Sequence, residues 1–229
     1  MKMNFHNSIM VFGLMTCFTQ VSFASPLNID FGREYTGLPS SYGAASSQIG
    51  HWNDIVGNSG LSKNLLNTAG VATGIDLTLS NTSDGGIGGA TDNDSTLLYD
   101  NFYSSSPFLG PWSVSLSGIK QGMYDIYYYA PAHSSISTGV FSINGTNVSN
   151  LTGSLSLTQG ISWDVLSGVT IDNSGILIIQ SESNTSLLGL SGLQIVPVPV
   201  PAAIWLLGSG LVGLIGMRKK PSKISALSV

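Results

Sequence analysis

Apolar and polar residues alternate with a period of two through most of the chain, in short runs separated by Gly, Ser and Asn. Leu27, Ile29 and Phe31 form the first set, and Ile75, Leu77 and Leu79 a second. Trp112, Val114 and Leu116 follow, and beyond a tight turn at Lys120–Gly122 comes the run Tyr124–Ala130. Val140–Ile143 leads into Asn144-Gly145, a dipeptide suited to a two-residue hairpin turn, and then into Asn147 and Val148. Leu155–Leu157, Trp163–Leu166, Ile176–Ile179 and Leu190–Val196 complete the series. Side chains two apart share one side of a strand, so each set predicts a buried face. Only Leu61–Ala69 reads as a short helix. Many short strands without a β-α-β rhythm predict an all-β fold, an antiparallel jelly-roll-like β-sandwich.

Both ends break the alternation. Lys2 and His6 precede an apolar stretch from Ile9 to Phe18, and Ser22-Phe23-Ala24 follows. That order predicts a signal peptide over 1–24, cleaved after Ala24, and an exported domain over 25–195. Cys17 falls in the removed part, so disulfide and thiol chemistry are excluded from the rest. At the other end, Ala202–Met217 is uncharged for 16 residues. As a helix it would reach about 24 Å, short of a hydrocarbon core of about 30 Å. Gly208, Gly210, Gly213 and Gly216 suit a membrane helix better than a soluble one. Arg218, Lys219 and Lys220 read as a cytoplasmic stop. These features predict a single transmembrane helix over about 202–217 and a short cytoplasmic tail over 221–229.

Pro199-Val200-Pro201-Ala202-Ala203, then Trp205-Leu206-Leu207-Gly208-Ser209-Gly210, an apolar run and the basic cluster follow a recognisable order. The segment 196–220 resembles the sorting signal of the PEP-CTERM exoproteins of Gram-negative bacteria, a tail also labelled ice-binding protein C-terminal domain. Pro199, Pro201, Trp205, Arg218, Lys219 and Lys220 carry the likeness, although Val200 stands where that family usually has Glu. The resemblance implies an exosortase-type processing enzyme as partner and anchoring in the inner membrane before processing. It further implies delivery to the cell surface or extracellular matrix, in a structural or adhesive role beside exopolysaccharide. Asn28–Gly32, His51–Asn53, Leu97–Tyr103, Gly122–Tyr127, Phe141–Gly145 and Gly192–Pro197 are similar to exoproteins of that group with a galactose-binding-like jelly roll.

Composition narrows the partners. Only 9% of the residues are charged, and 28 are glycine. Between Ser25 and Val196 stand three cations, Arg33, Lys63 and Lys120, against all 12 carboxylates of the chain. So acidic a region disfavours nucleic acid and anionic membrane surfaces, both of which need cationic patches.

Little in the chain suggests catalysis. Past the leader the histidines are His51 and His133, no Gly-x-Ser-x-Gly elbow occurs, and Gly85–Gly89 lacks the lysine of a phosphate loop. Asp54, Asp100, Asp125 and Asp164 offer carboxylates for a surface glycan hydrolase, but no spacing selects a pair. The chain is therefore read as a non-enzyme. Asp84, Asp92, Asn93, Asp94 and Asp100 fall within 17 residues and are candidates for a structural Ca2+, which favours such hard oxygens. The competing role for that stretch is a solvated acidic loop. His51, Trp52, Asn53 and Asp54 combine a ring with hydrogen-bonding groups and are the candidate ligand site of a carbohydrate-binding module. Trp112, Trp163 and the run Tyr127–Tyr129 could supply either stacking surfaces or core, with Tyr127 and Tyr129 on one face and Tyr128 on the other.

Overall fold

The computed structural model describes residues 24–32, 37–56, 58–84, 92–99, 101–104, 111–131, 139–151, 153, 156–182 and 189–199. In chain order the strands begin with β1 (Leu27–Phe31), β2 (Trp52–Ile55), β3 (Gly60–Ser62), β4 (Asp76–Ser80) and β5 (Thr82–Asp84). A short helix, α1 (Asn93–Tyr99), precedes β6 (Phe102–Ser104), β7 (Ser113–Ser117), β8 (Gly122–Tyr129), β9 (Val140–Ile143) and β10 (Thr146–Ser149). β11 (Trp163–Ile171), β12 (Ile176–Ser181), β13 (Gly189–Leu190) and β14 (Gly192–Pro197) follow.

Two large sheets make the sandwich. The first has the order β11, β8, β14, β1, β2, and the second β10, β9, β12, β7, β4, β3. A small third sheet joins β13, β6 and β5. Among the described strands every pairing is antiparallel except β1 with β2, which run parallel. The alternating sets fill one core: Leu27, Ile29 and Phe31 of β1 pack with Leu77, Leu79, Val114, Leu116, Leu177 and Ile179 of the second sheet. A series of rings crosses it, Phe31 on Phe102 at 4.9 Å and Phe102 on Trp112 at 5.0 Å, both edge to face. That geometry sets positive ring edges against negative faces and adds about 1 kcal/mol per pair to the area buried. Trp112 therefore belongs to the core.

Local chemistry accounts for the turns. Asn144 (φ 49°) and Gly145 (φ 82°) supply the two left-handed residues of the β9–β10 hairpin. The turn expected at Lys120–Gly122 joins strands of different sheets, so it is a crossover rather than a hairpin. No helix forms over Leu61–Ala69. Asn64 there has φ 58°, and Asn67 Oδ1 accepts from the backbone of Ala69 and Val71, a local turn that competes with helix. The helix stands instead at Asn93–Tyr99, where Asp92 caps it by accepting from Ser95 N at 2.8 Å.

The membrane component of the fold expectation is corrected. Among the described residues no helix is long and apolar enough to cross a membrane. The stretch 202–217 lies outside those residues, as do Pro201, Trp205, Arg218, Lys219 and Lys220. Its physical weakness is already visible in its length, 16 residues that fall short of the bilayer core. Anchoring in an inner membrane and delivery through that anchor are withdrawn with the helix. The described residues as far as Pro197 form one compact unit, and Val198–Val229 is a second, of which Val198 and Pro199 are described.

Candidate functional site

The outward face of the first sheet divides into a roofed part and an open part. Register places Asn28 beside Gln194 and Trp52, and Asp30 beside Gly192 and Asp54. The same rows continue into Tyr127 and Tyr129 of β8, then into Val165 and Trp163 of β11. Residues 37–50 and α1 cover the centre of this face.

Polar side chains under that roof are satisfied by one another. Tyr129 donates to Gln194 Oε1 at 2.5 Å and accepts from Ala44 N at 2.6 Å. Gln194 Oε1 also accepts from Ala45 N at 2.9 Å, and Gln194 Nε2 donates to Asn28 Oδ1 at 3.0 Å. Asn28 Nδ2 donates to Gln48 O, and Gln48 Nε2 to Ile195 O, both at 3.1 Å. Gly43, at φ 125°, admits the approach, since a Cβ there would stand 2.7 Å from the Gln194 amide. Gly192 serves α1 similarly: a Cβ would lie 2.8 Å from Leu97 Cδ1. Burial and the bond from Ala44 act oppositely on Tyr129, and burial prevails, holding its hydroxyl protonated above the ordinary tyrosine range.

The roof is tied down at its rim by Asp94, which accepts from the Tyr42 hydroxyl at 2.5 Å and from Leu157 N at 3.0 Å. Burial first, and then the Asp94 carboxylate, push the Tyr42 pKa upward. Leu38, Trp52, Leu97, Leu98 and Tyr129 form a second apolar cluster beneath, with Tyr42, Leu157 and Trp163 packed against it.

Beyond the roof, at the β8–β11 edge, Tyr127 and Trp163 remain half-buried. Their ring centroids are 5.8 Å apart and their planes differ by 32°. Asp164, next to Trp163, accepts from Gln159 Nε2 at 3.3 Å and from Val165 N at 2.9 Å. Asp125, two residues before Tyr127, accepts from Gly168 N at 3.0 Å across a bulge in β11. Tyr128 points inward as alternation requires, and burial followed by the Asp164 charge raises its pKa to about 12.

The tetrad His51, Trp52, Asn53 and Asp54 does not converge. The structure exposes His51 and Asp54 but buries Trp52 and Asn53. Trp52 Nε1 donates to Tyr42 O at 3.3 Å. Asn53 Nδ2 donates to Asn28 O and Leu66 O, while its Oδ1 accepts from Leu66 N. Both side chains are thus committed to holding the fold. Among the described residues no three His, Cys, Asp or Glu side chains gather as metal ligands. Asp92 caps α1 and Asp94 holds the rim, Asn93 is exposed at the first turn, and Asp100, the side chain of Asp84 and His133 lie outside the described residues.

No protein-family model and no curated protein matches the chain. The PEP-CTERM resemblance, and with it the exosortase partner and the structural or adhesive surface role, therefore finds no support and is set aside. Among solved structures, the chain is similar to the Podospora anserina GH26-CBM35 β-(1,4)-mannanase at 16% identity and TM-score 0.35. The match covers 54% of this chain, which spans only 26% of that one. It is also similar to CBM35 from Paenibacillus barcinonensis at 14% identity and TM-score 0.34, covering 53% of this chain and 93% of the other. At these scores the likeness decides nothing about ligand or site. The sandwich is established by its strand pairings, and the chain continues to be read as a non-enzyme.

Proposed function

We propose that the sandwich is a non-catalytic carbohydrate-binding module that takes a hydroxyl-rich ligand against Tyr127 and Trp163. The half-buried ring pair, its planes tilted by 32°, is the observation that carries the proposal. Other large rings, including Trp112, Tyr124, Phe102 and Phe141, are fully buried. Tyr and Trp give wide contact at little conformational cost, having two side-chain torsions each. Asp125, two residues from Tyr127 on the same side of β8, supplies a carboxylate of the kind that hydroxyl groups need.

Affinity electrophoresis through gels containing galactomannan, hydroxyethyl cellulose or xylan tests the proposal. The wild-type domain should be retarded by at least one polymer, and Trp163→Ala or Tyr127→Ala should abolish the retardation. Full mobility in every gel would remove the module from consideration.

A further inference from the structure

We infer that Asp94 is a positioning residue for the ring pair, holding through Leu157 the loop that presents Trp163. The inference rests on the carbohydrate-binding proposal and concerns what keeps that site in shape. Asp94 stands in the first turn of α1, whose Leu97 and Leu98 belong to the second apolar cluster and are fully buried. The helix, and the carboxylate with it, is thereby pinned to the sheet. One carboxylate oxygen accepts from the Tyr42 hydroxyl of the roof, the other from Leu157 N at 3.0 Å. The two bonds serve different parts of the molecule, because Leu157 lies outside the roof, in the loop that leads into β11.

Residues 156–163 bond among themselves and move as a unit. Thr158 O accepts from Ser162 N at 2.9 Å and from Ile161 N at 3.2 Å. Ser162 is fully buried, and its hydroxyl donates to Ser156 O at 2.7 Å and accepts from Thr158 N at 2.8 Å. The loop also holds the backbone of Trp163, whose carbonyl accepts from Gly160 N at 2.8 Å and whose N–H reaches Thr158 O at 3.5 Å. Leu157 and Trp163 both pack against the second apolar cluster, so the loop begins and ends on it. A backbone N–H bound to a carboxylate is held about twice as strongly as one bound to a neutral acceptor. Asp94 is accordingly the firm post to which this loop is tied. With the tie cut, a ligand must order Trp163 as it binds, which lowers affinity about fivefold.

Affinity electrophoresis in galactomannan, hydroxyethyl cellulose and xylan, over a range of polymer concentrations, tests this with variants that separate the two bonds. Asp94→Ala should weaken binding about fivefold. Asp94→Asn keeps an acceptor for Leu157 N and turns a donor toward the Tyr42 oxygen, and should bind as the wild type does. Tyr42→Phe removes the roof bond alone, and should lower the melting temperature without changing affinity. Ser162→Ala opens the loop from within, leaves Asp94 and the roof in place, and should reproduce the loss of affinity. Amide exchange at Ile161, Ser162 and Trp163 should quicken in Asp94→Ala and Ser162→Ala and stay unchanged in Tyr42→Phe. Wild-type affinity in folded Asp94→Ala or in Ser162→Ala, no rescue by Asp94→Asn, or an equal loss in Tyr42→Phe would overturn the positioning role and leave the carbohydrate proposal intact. Failure of the wild type to bind every polymer, or binding indifferent to Trp163→Ala in a folded variant, would overturn both.

Discussion

β1 and β4 are both five-residue strands in which apolar and polar side chains alternate, and they end in opposite surroundings. On β4 the alternate residues Thr78 and Ser80 are exposed, while Leu77 and Leu79 are buried. On β1 all five residues are buried, Asn28 and Asp30 included. The second sheet thus keeps one side in the core and one in water, as antiparallel sheets commonly do. The first sheet has a core on one side and a roof on the other. Its polar residues are consequently held by hydrogen bonds inside the protein, where a missing partner is costly.

That contrast predicts unequal sensitivity. Gln194→Ala should have the largest effect, about 3 kcal/mol of stability, because Asn28 Oδ1, Ala45 N and Tyr129 OH lose a partner where water is excluded. Urea unfolding measures it, and a loss below about 0.5 kcal/mol would mean that the roofed face is as tolerant as an open one. Asp94→Ala should cost about 2 kcal/mol, since both the Tyr42 and Leu157 contacts go. Faster amide exchange in 37–50 and at Leu157, with β4 and β7 unchanged, is the accompanying signature.

How far the two sheets differ could not be read from the residues alone. Alternation at Leu27, Ile29 and Phe31 identified the inward side of β1, because period two is a local property. Whether Asn28 and Asp30 met water depended on residues 37–50 and α1, which cover them from remote positions. Alternation alone would set Asp30 on the polar face of β1, and it is buried. The same limit governed the site. Alternation places Tyr127 and Tyr129 on one side of β8, but only the cover from residues 37–50, whose Ala44 N bonds Tyr129, separates the roofed ring from the half-open one. Trp52 and Asn53 resembled ligand groups because an indole with an amide serves equally well to hold a roof. Asp92 and Asp94 look like cation ligands by spacing, and their partners Ser95 and Tyr42 show one capping a helix and the other fastening a rim.

Alkaline titration sharpens the contrast further. The folded-state pKa values of Tyr42, Tyr128 and Tyr129 are all raised, so the folded protein binds more protons than the unfolded chain above about pH 10. Their stabilisation is complete below that pH and is lost as pH rises toward the folded-state values. The melting temperature should therefore fall between about pH 9 and about pH 11, and Tyr129→Phe should shrink the fall. An equal fall in that variant would detach the effect from the roofed face. The smallest effect belongs to the second sheet: Ser80→Ala, on an exposed position, should change stability by no more than about 0.5 kcal/mol.

The pairing of β1 with β14 also constrains when the domain can form. Leu27 meets Ile195 at the centre of the first sheet, so its earliest strand is completed by its latest. A chain emerging from the ribosome can set β1 against β2, but the other edge of β1 stays unpaired until Gly192–Pro197 has been made. Contacts of such sequence separation slow folding, because a long loop must close before they form. Until then β1 is an adhesive segment in search of a sheet, and the interval before closure is the period in which nascent chains are most exposed to pairing with one another.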